Sequence, residues 1–283
     1  DWTVVPPGEE EVEAALERSQ EPETPYLFPR HPDEVDRLDL QHFALRETLG
    51  ANFLAPVESP VRVLDVGTGT GQWGIEVCWE HPEALVVGFD LVAGRAEHPS
   101  GYRHVRGNLL QGLPFREGSF DFVHQRLLTW GVPVAAWPGV VAELVRVTRP
   151  GGWVELAEVT RPQQTGPATQ AFFDLIHQHL AVPLDLDVTD IVFRSLDEYL
   201  RRAGLEEVAR REVVLPVGEW GGQVGTFMAT DFRTGGARLC EVMQTRSSSL
   251  AEEAKGLLSQ AMDEFDQHRT IFPVAVAYGC KPA

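Results

Sequence analysis

Asp65-Val66-Gly67-Thr68-Gly69-Thr70-Gly71-Gln72-Trp73-Gly74 is the run in this sequence with the clearest capacity for binding chemistry. Its glycines permit positive φ and let a ligand press against bare backbone. A helix starting just after them offers unpaired N–H groups to a carboxylate or phosphate. A second acid, Asp90, closes the next apolar run, Val87-Gly88-Phe89-Asp90-Leu91. A carboxylate at the end of a buried strand is placed to accept hydrogen bonds from ribose hydroxyls.

Two cofactors compete for such a turn. Gly69-x-Gly71-x-x-Gly74 satisfies the dinucleotide fingerprint, and Asp90 follows about twenty residues later, as the ribose-binding acid of a dehydrogenase does. Asp65 argues the other way. A carboxylate two residues before the first glycine suits an ammonium group and repels a pyrophosphate, and S-adenosylmethionine carries an ammonium.

The elements that must position these residues read as alternating strands and helices. Short apolar runs at about 61–66, 84–90, 102–106, 119–124 and 153–159 alternate with helix-compatible segments at about 72–80 and 137–148. Pro150-Gly151-Gly152 marks a turn before the fifth run. This alternation predicts a doubly wound α/β fold with a mostly parallel seven-stranded sheet. Further helices are expected at about 169–182 and 195–204, and strands at about 206–215 and 272–280. An amphipathic helix is expected over about 33–45, with Asp33 as its cap. Residues 1–58 thus form an N-terminal extension and helical cover, and 59–283 the α/β domain. Within the latter, 219–270 is expected as a lid inserted before the last strand, punctuated by glycine in its first part and helical from about 248 to 269.

Composition narrows the function. Lys and Arg number 24 against 42 Asp and Glu, a formal net charge of −18 that repels phosphate backbones and anionic lipid. Nucleic acid and membrane are therefore poor partners. The three cysteines have no metal-ligand or redox spacing, and no paired-acid constellation suggests a metal. The opening residues lack the basic start and apolar run of a signal peptide, which makes the cytoplasm the expected location.

The run from Asp65 resembles the first motif of class I S-adenosylmethionine-dependent methyltransferases, and later segments are similar to that family in the same order. Val87-Gly88-Phe89-Asp90-Leu91, Arg106-Gly107-Asn108-Leu109, Ser119-Phe120-Asp121-Phe122-Val123-His124 and Arg149-Pro150-Gly151-Gly152-Trp153 carry the resemblance over about residues 60–160. It implies a Rossmann-like methyltransferase with S-adenosylmethionine as cofactor and S-adenosylhomocysteine as product. Asp65, Gly67, Thr68, Gly69, Gly71 and Trp73 would form the cofactor turn, Asp90 and Leu91 would hold the ribose, and Asn108 and Leu109 the adenine edge. Many members carry Asp where Asn108 stands; the amide oxygen can still accept a hydrogen bond. Tyr26-Leu27-Phe28-Pro29 with Asp33, Glu34, Arg37, Leu38, Gln41 and His42, and Leu215-Pro216-Val217-Gly218-Glu219-Trp220, resemble the subgroup of fungal secondary-metabolism methyltransferases and regulators. This resemblance places Tyr26 and the 33–45 helix over the cofactor cleft and implies a small natural product as acceptor.

Methyl transfer from a sulfonium needs alignment more than a base. If the acceptor is a hydroxyl, with O-methylation the family's habit, His124 at the end of the fourth strand is the expected proton acceptor. Gln125 then falls beside the cofactor, and Arg126, Trp130 and His177 line the acceptor pocket. Trp73, Trp130, Trp137, Trp153 and Trp220 read as core and pocket lining rather than as evidence of an aromatic substrate. Rival readings stay open: a cofactor-binding regulatory protein, a non-methylating enzyme such as a cyclase, or the dehydrogenase. A monomer or a homodimer is equally compatible with the sequence.

Overall fold

In the computed structural model, residues 32–92 and 98–283 are described, with side chains from residue 36 onward. Tyr26 and the side chains of Asp33 and Glu34 lie outside that set. Helix α1 (Pro32–Leu49) leads into β1 (Arg62–Val66), α2 (Gln72–Glu80), β2 (Leu85–Asp90), β3 (Tyr102–Arg106), β4 (Phe120–Arg126), α3 (Trp137–Val147) and β5 (Thr148–Val159). Then come α4 (Pro167–Ile176), α5 (Ile191–Arg202), β6 (Glu206–Pro216), α6 (Gly222–Arg246), α7 (Ser248–His268) and β7 (Ile271–Cys280).

The seven strands form one sheet in the order β3-β2-β1-β4-β5-β7-β6. All pairings are parallel except those of β7, which runs antiparallel to β5 and β6. Strand order reverses between β1 and β4, so the carboxyl ends of those strands open a crevice, the usual ligand position in such sheets. The central strands read as continuous apolar runs because both faces are covered. Leu64, Val66, Val87, Phe89 and Val123 pack with α3 and α5 on one face. Val63, Val86 and Phe122 pack on the other with Trp73 and Val77 of α2.

Two local expectations change. The expected turn at Pro150-Gly151-Gly152 is a kink inside β5, where the pairing with β4 jumps from Thr148 to Trp153. The expected glycine-punctuated stretch after residue 221 is a 25-residue helix, α6, antiparallel neighbour to the 21-residue α7. Glycine serves packing there: a Cβ on Gly236 would fall 2.6 Å from Leu258 of α7. Residues 222–268 thus form a packed helical layer. Phe232, Met243, Ala254 and Phe265 share a core with Val274 and Val276 of β7 and with Ala44 and Leu45 of α1.

Among the described residues no helix is long and apolar enough to cross a membrane.

Candidate active site

A cavity of about 260 Å³ opens at the carboxyl edge of the sheet. One end is made by the turn between β1 and α2. Gly67 has φ 73° and Gly71 φ 81°, both left-handed. A Cβ on Gly67 would meet Leu128 at 2.5 Å, and one on Gly71 would meet the Tyr102 hydroxyl at 2.7 Å, so glycine is required on steric as well as conformational grounds. Asp90 lines this end, accepting from the amides of Gly69 (2.9 Å) and Val92 (3.0 Å). Burial raises its pKa above the ordinary carboxylate value, and the two amides oppose that rise. Leu91, Asn108 and Leu109 border the same end. Asn108 Oδ1 accepts from Leu110 N at 2.9 Å, which fixes the amide's orientation.

Asp65 does not face the cavity as its expected partnership with an ammonium group required. Its Oδ1 lies 3.0 Å from His124 Nδ1, and its Oδ2 accepts from Thr68 Oγ1 at 2.6 Å. Thr68 in turn is 3.0 Å from the Tyr102 hydroxyl. Period-two alternation explains the arrangement. Asp65 and His124 are register partners on neighbouring strands, pointing to the α2 face. There Trp73 stacks on His124 with centroids 3.9 Å apart and planes 5° apart, and donates its indole N–H to Asn52 O. This corrects the role expected of His124. The imidazole is 2% exposed and held neutral by burial against the pull of Asp65. It does not line the cavity, and it is bonded to Asp65 at the base of the turn. Trp73 likewise buttresses the turn from beneath.

Gln125 points to the opposite face and donates to Glu158 Oε1 at 2.6 Å. Glu158, at the end of β5, also accepts from the amides of Leu128 (2.8 Å) and Thr129 (3.2 Å) and from the Thr129 hydroxyl. Burial lifts its carboxyl to about 7 despite those four donors. The donors bind down a loop that begins with Leu127 at φ 56°, an unusual conformation for a branched residue. Leu128 is thereby pressed onto Gly67. Arg126 does line the cavity, and its Nη2 sits 2.9 Å from His42 Nδ1 of α1. Burial, with Arg126 alongside, lowers His42 to about 2, so the neutral ring accepts from the guanidinium. Thr70 in the turn donates to Asp39 at 2.8 Å, a second tie between α1 and the cofactor end.

The other end of the cavity is aromatic. Phe172 and Phe173 of α4, Phe232 of α6, Phe272 of β7 and Trp130 from the loop after β4 line it. Arg37 of α1 and Asp231 of α6, 2.7 Å apart, complete the wall. His177 lies behind it, between Trp130 (5.7 Å) and Phe173 (5.7 Å); burial and nearby Arg161 lower its imidazole to about 4. It therefore supports the lining aromatics and does not reach the cavity as expected. Glu158, Asp231 and the four phenylalanines were not singled out by the sequence, because no motif links segments so far apart; Arg37 belongs to the N-terminal segment that carries the subgroup resemblance, without a role assigned to it. The apolar spacing of 172, 173 and 176 and the lone acid at 231 beside Phe232 are the available signals. Among the described residues no three His, Cys, Asp or Glu side chains gather as a metal site.

This geometry defines a doubly wound sheet with a glycine turn, a strand-end acid and an adjoining chamber. Residues 63–152 match the model of a methyltransferase domain. The chain is 30% identical over 205 residues to methyltransferase str2 of Strobilurus tenacellus, covering 69% of this chain and 72% of that protein. With methyltransferase pytC of Aspergillus terreus it shares 28% identity over 275 residues, 91% of this chain and 83% of the relative. It is 29% identical over 205 residues to the secondary metabolism regulator laeA of Aspergillus fumigatus, 69% of this chain but 54% of that protein. Phosphoethanolamine N-methyltransferase 2 of Haemonchus contortus, solved with phosphomonomethylethanolamine and S-adenosylhomocysteine, superposes with TM-score 0.52 at 16% identity, over 89% of this chain and 59% of that one; it shares the fold. The chain belongs to the methyltransferase family.

Proposed function

We propose that the chain binds S-adenosylmethionine at the glycine turn and transfers its methyl group to a small-molecule acceptor held in the aromatic end, with oxygen the favoured target. When bound, that cofactor supplies an electrophilic methyl group on a sulfonium. Asp90 carries the reading: it is a half-buried carboxylate at the end of β2, facing the cavity beside a turn in which Gly67 and Gly71 leave no room for side chains. Asp90 grips the ribose, Asn108 and Leu109 border the adenine, and the backbone of Gly67–Gly69 receives the amino-acid portion. Asp65, bound to His124 and Thr68, shapes the turn from beneath.

A base is not required for the reaction, and His124 does not supply one. The protein contributes orientation and exclusion of water: α1 ties to the turn through Asp39 and Thr70, and to α6 through Arg37 and Asp231. Residues 219–270 cover the acceptor end, and α1 the cofactor end. The net charge of −18 favours a neutral or cationic acceptor over nucleic acid, and the protein acts as a cytoplasmic monomer or homodimer.

Calorimetric titration with S-adenosylmethionine, S-adenosylhomocysteine, NAD(H) and NADP(H) tests the reading. Micromolar binding of the sulfur compounds alone is expected. Saturable binding of a nicotinamide cofactor in their place overturns it.

A further inference from the structure

The aromatic end of the cavity has a chemistry of its own. Phe232 sits at the centre of a ring cluster, with Phe172 and Phe173 at 5.7 Å and Phe272 at 6.4 Å between centroids. Offset and edge-to-face contacts with such rings favour a flat π-system over a saturated ring of equal size. On the cavity face of α6, Met228, Asp231, Phe232 and Gly235 follow at helical spacing, so a carboxylate is set in an otherwise apolar stripe.

That carboxylate is 8% exposed and held by Arg37 at 2.7 Å. Paired with that guanidinium, the carboxylate meets a ligand as a hydrogen-bond acceptor. Gln41 Nε2 reaches the same oxygen at 3.5 Å, the outer limit of a hydrogen bond, so a ligand donor at ordinary distance can displace it. A group meeting Asp231 must therefore be a hydroxyl or an N–H. An anionic group meets a charge of its own sign there, with the neighbouring guanidinium already engaged.

We propose that this chamber takes a neutral, planar aromatic acceptor carrying a hydroxyl or amine, and that Asp231 orients it by accepting a hydrogen bond from that group. The inference rests on reading the glycine-turn end as the S-adenosylmethionine site.

The test is a ladder of naphthalene probes titrated into the full chain saturated with S-adenosylhomocysteine. 2-Naphthol is expected to bind at least tenfold more tightly than 2-methoxynaphthalene, 2-naphthoate or the saturated alcohol 2-decalol. In Asp231→Asn the naphthol-to-ether ratio is expected to fall to threefold or less. Equal binding of naphthol and its ether, tightest binding of naphthoate or decalol, absence of saturable binding by every probe, or an unchanged ratio in the variant overturns the proposal. Should the variant not fold, the wild-type ladder decides alone. Failure of S-adenosylhomocysteine itself to bind overturns the cofactor reading instead, and the same ladder run without it still decides the chamber's preference.

Discussion

The two ends of the cavity are built from different materials. The cofactor end is backbone and strand termini: Gly67, Gly69, Asp90 and Asn108 all lie within 42 consecutive positions and are held by parallel pairing of β1, β2 and β4. The acceptor end is chiefly side chains, drawn from α1, α4, α6, β7 and the loop after β4. A backbone site tolerates little change, because positive φ and close approach leave no substitute for glycine. A side-chain site can be rebuilt residue by residue while the fold stays, which is how one sheet can serve many acceptors.

The largest expected effect falls where the acceptor end doubles as core. Phe232→Ala should cost about 3 kcal/mol in urea denaturation, since its ring packs on Phe265 at 4.8 Å as well as facing the cavity. Affinity for S-adenosylhomocysteine should change less than about threefold, because the contacts to that ligand are assigned to the glycine turn, Asp90 and Asn108 rather than to the ring. A large loss of cofactor affinity with unchanged stability would mean that the two ends are not separate.

Asp90→Ala should show the opposite profile. Loss of two hydrogen bonds to a charged group predicts a rise of about 100-fold in the dissociation constant for S-adenosylhomocysteine, read by calorimetry, with the protein still folded. Unchanged affinity would remove Asp90 from the site.

A third effect lies beneath the sheet. Glu155 is fully buried, its Oε2 accepting from the amides of Leu54 (2.7 Å) and Ala55 (2.6 Å), and burial lifts its carboxyl to about 7. A folded pKa above the unfolded value of 4.5 means that stability is fully present below about 4.5 and is lost as pH rises through about 7. Glutamine can keep both amides on its one oxygen while removing the charge. Glu155→Gln should therefore match wild type near pH 4.5 and exceed it at pH 8 by on the order of 2 kcal/mol. Chemical denaturation at the two pH values checks this; equal stability at both would show that the carboxyl titrates normally.

The smallest effect concerns the seam between α1 and the turn. Thr70→Val removes the hydrogen bond to Asp39 and should cost about 1 kcal/mol, with cofactor affinity falling about threefold. No change in either would mean that α1 covers the turn without tying to it.

Legibility follows the same division. The strand alternation, the glycine turn and Asp90 were readable because they depend on local spacing and on backbone demands that only certain residues meet. Asp65 and His124 were found by type but not by role. Sequence shows that an acid and a histidine end neighbouring strands; only their register, with both side chains on the α2 face and Trp73 stacked beneath, shows that they bind each other. The α6 helix was hidden by Gly225, Gly235 and Gly236, which weaken helix propensity; Gly236 permits the close approach of α7, and Gly225 that of the 218 turn. Of the aromatic chamber the sequence points to Trp130 alone, because Phe172, Phe173, Phe232 and Phe272 share no periodicity or motif with it. As expected of core and lining, Trp73 and Trp137 are buried and Trp130 lines the chamber; the rest of its rings are phenylalanine.

A crystal structure of the chain with S-adenosylhomocysteine tests the central claim most directly. The account predicts the ribose hydroxyls on Asp90, the amino-acid portion on the Gly67–Gly69 backbone and the sulfur facing the aromatic chamber. A ribose away from Asp90, or a sulfur turned away from Phe232 and Asp231, would contradict it.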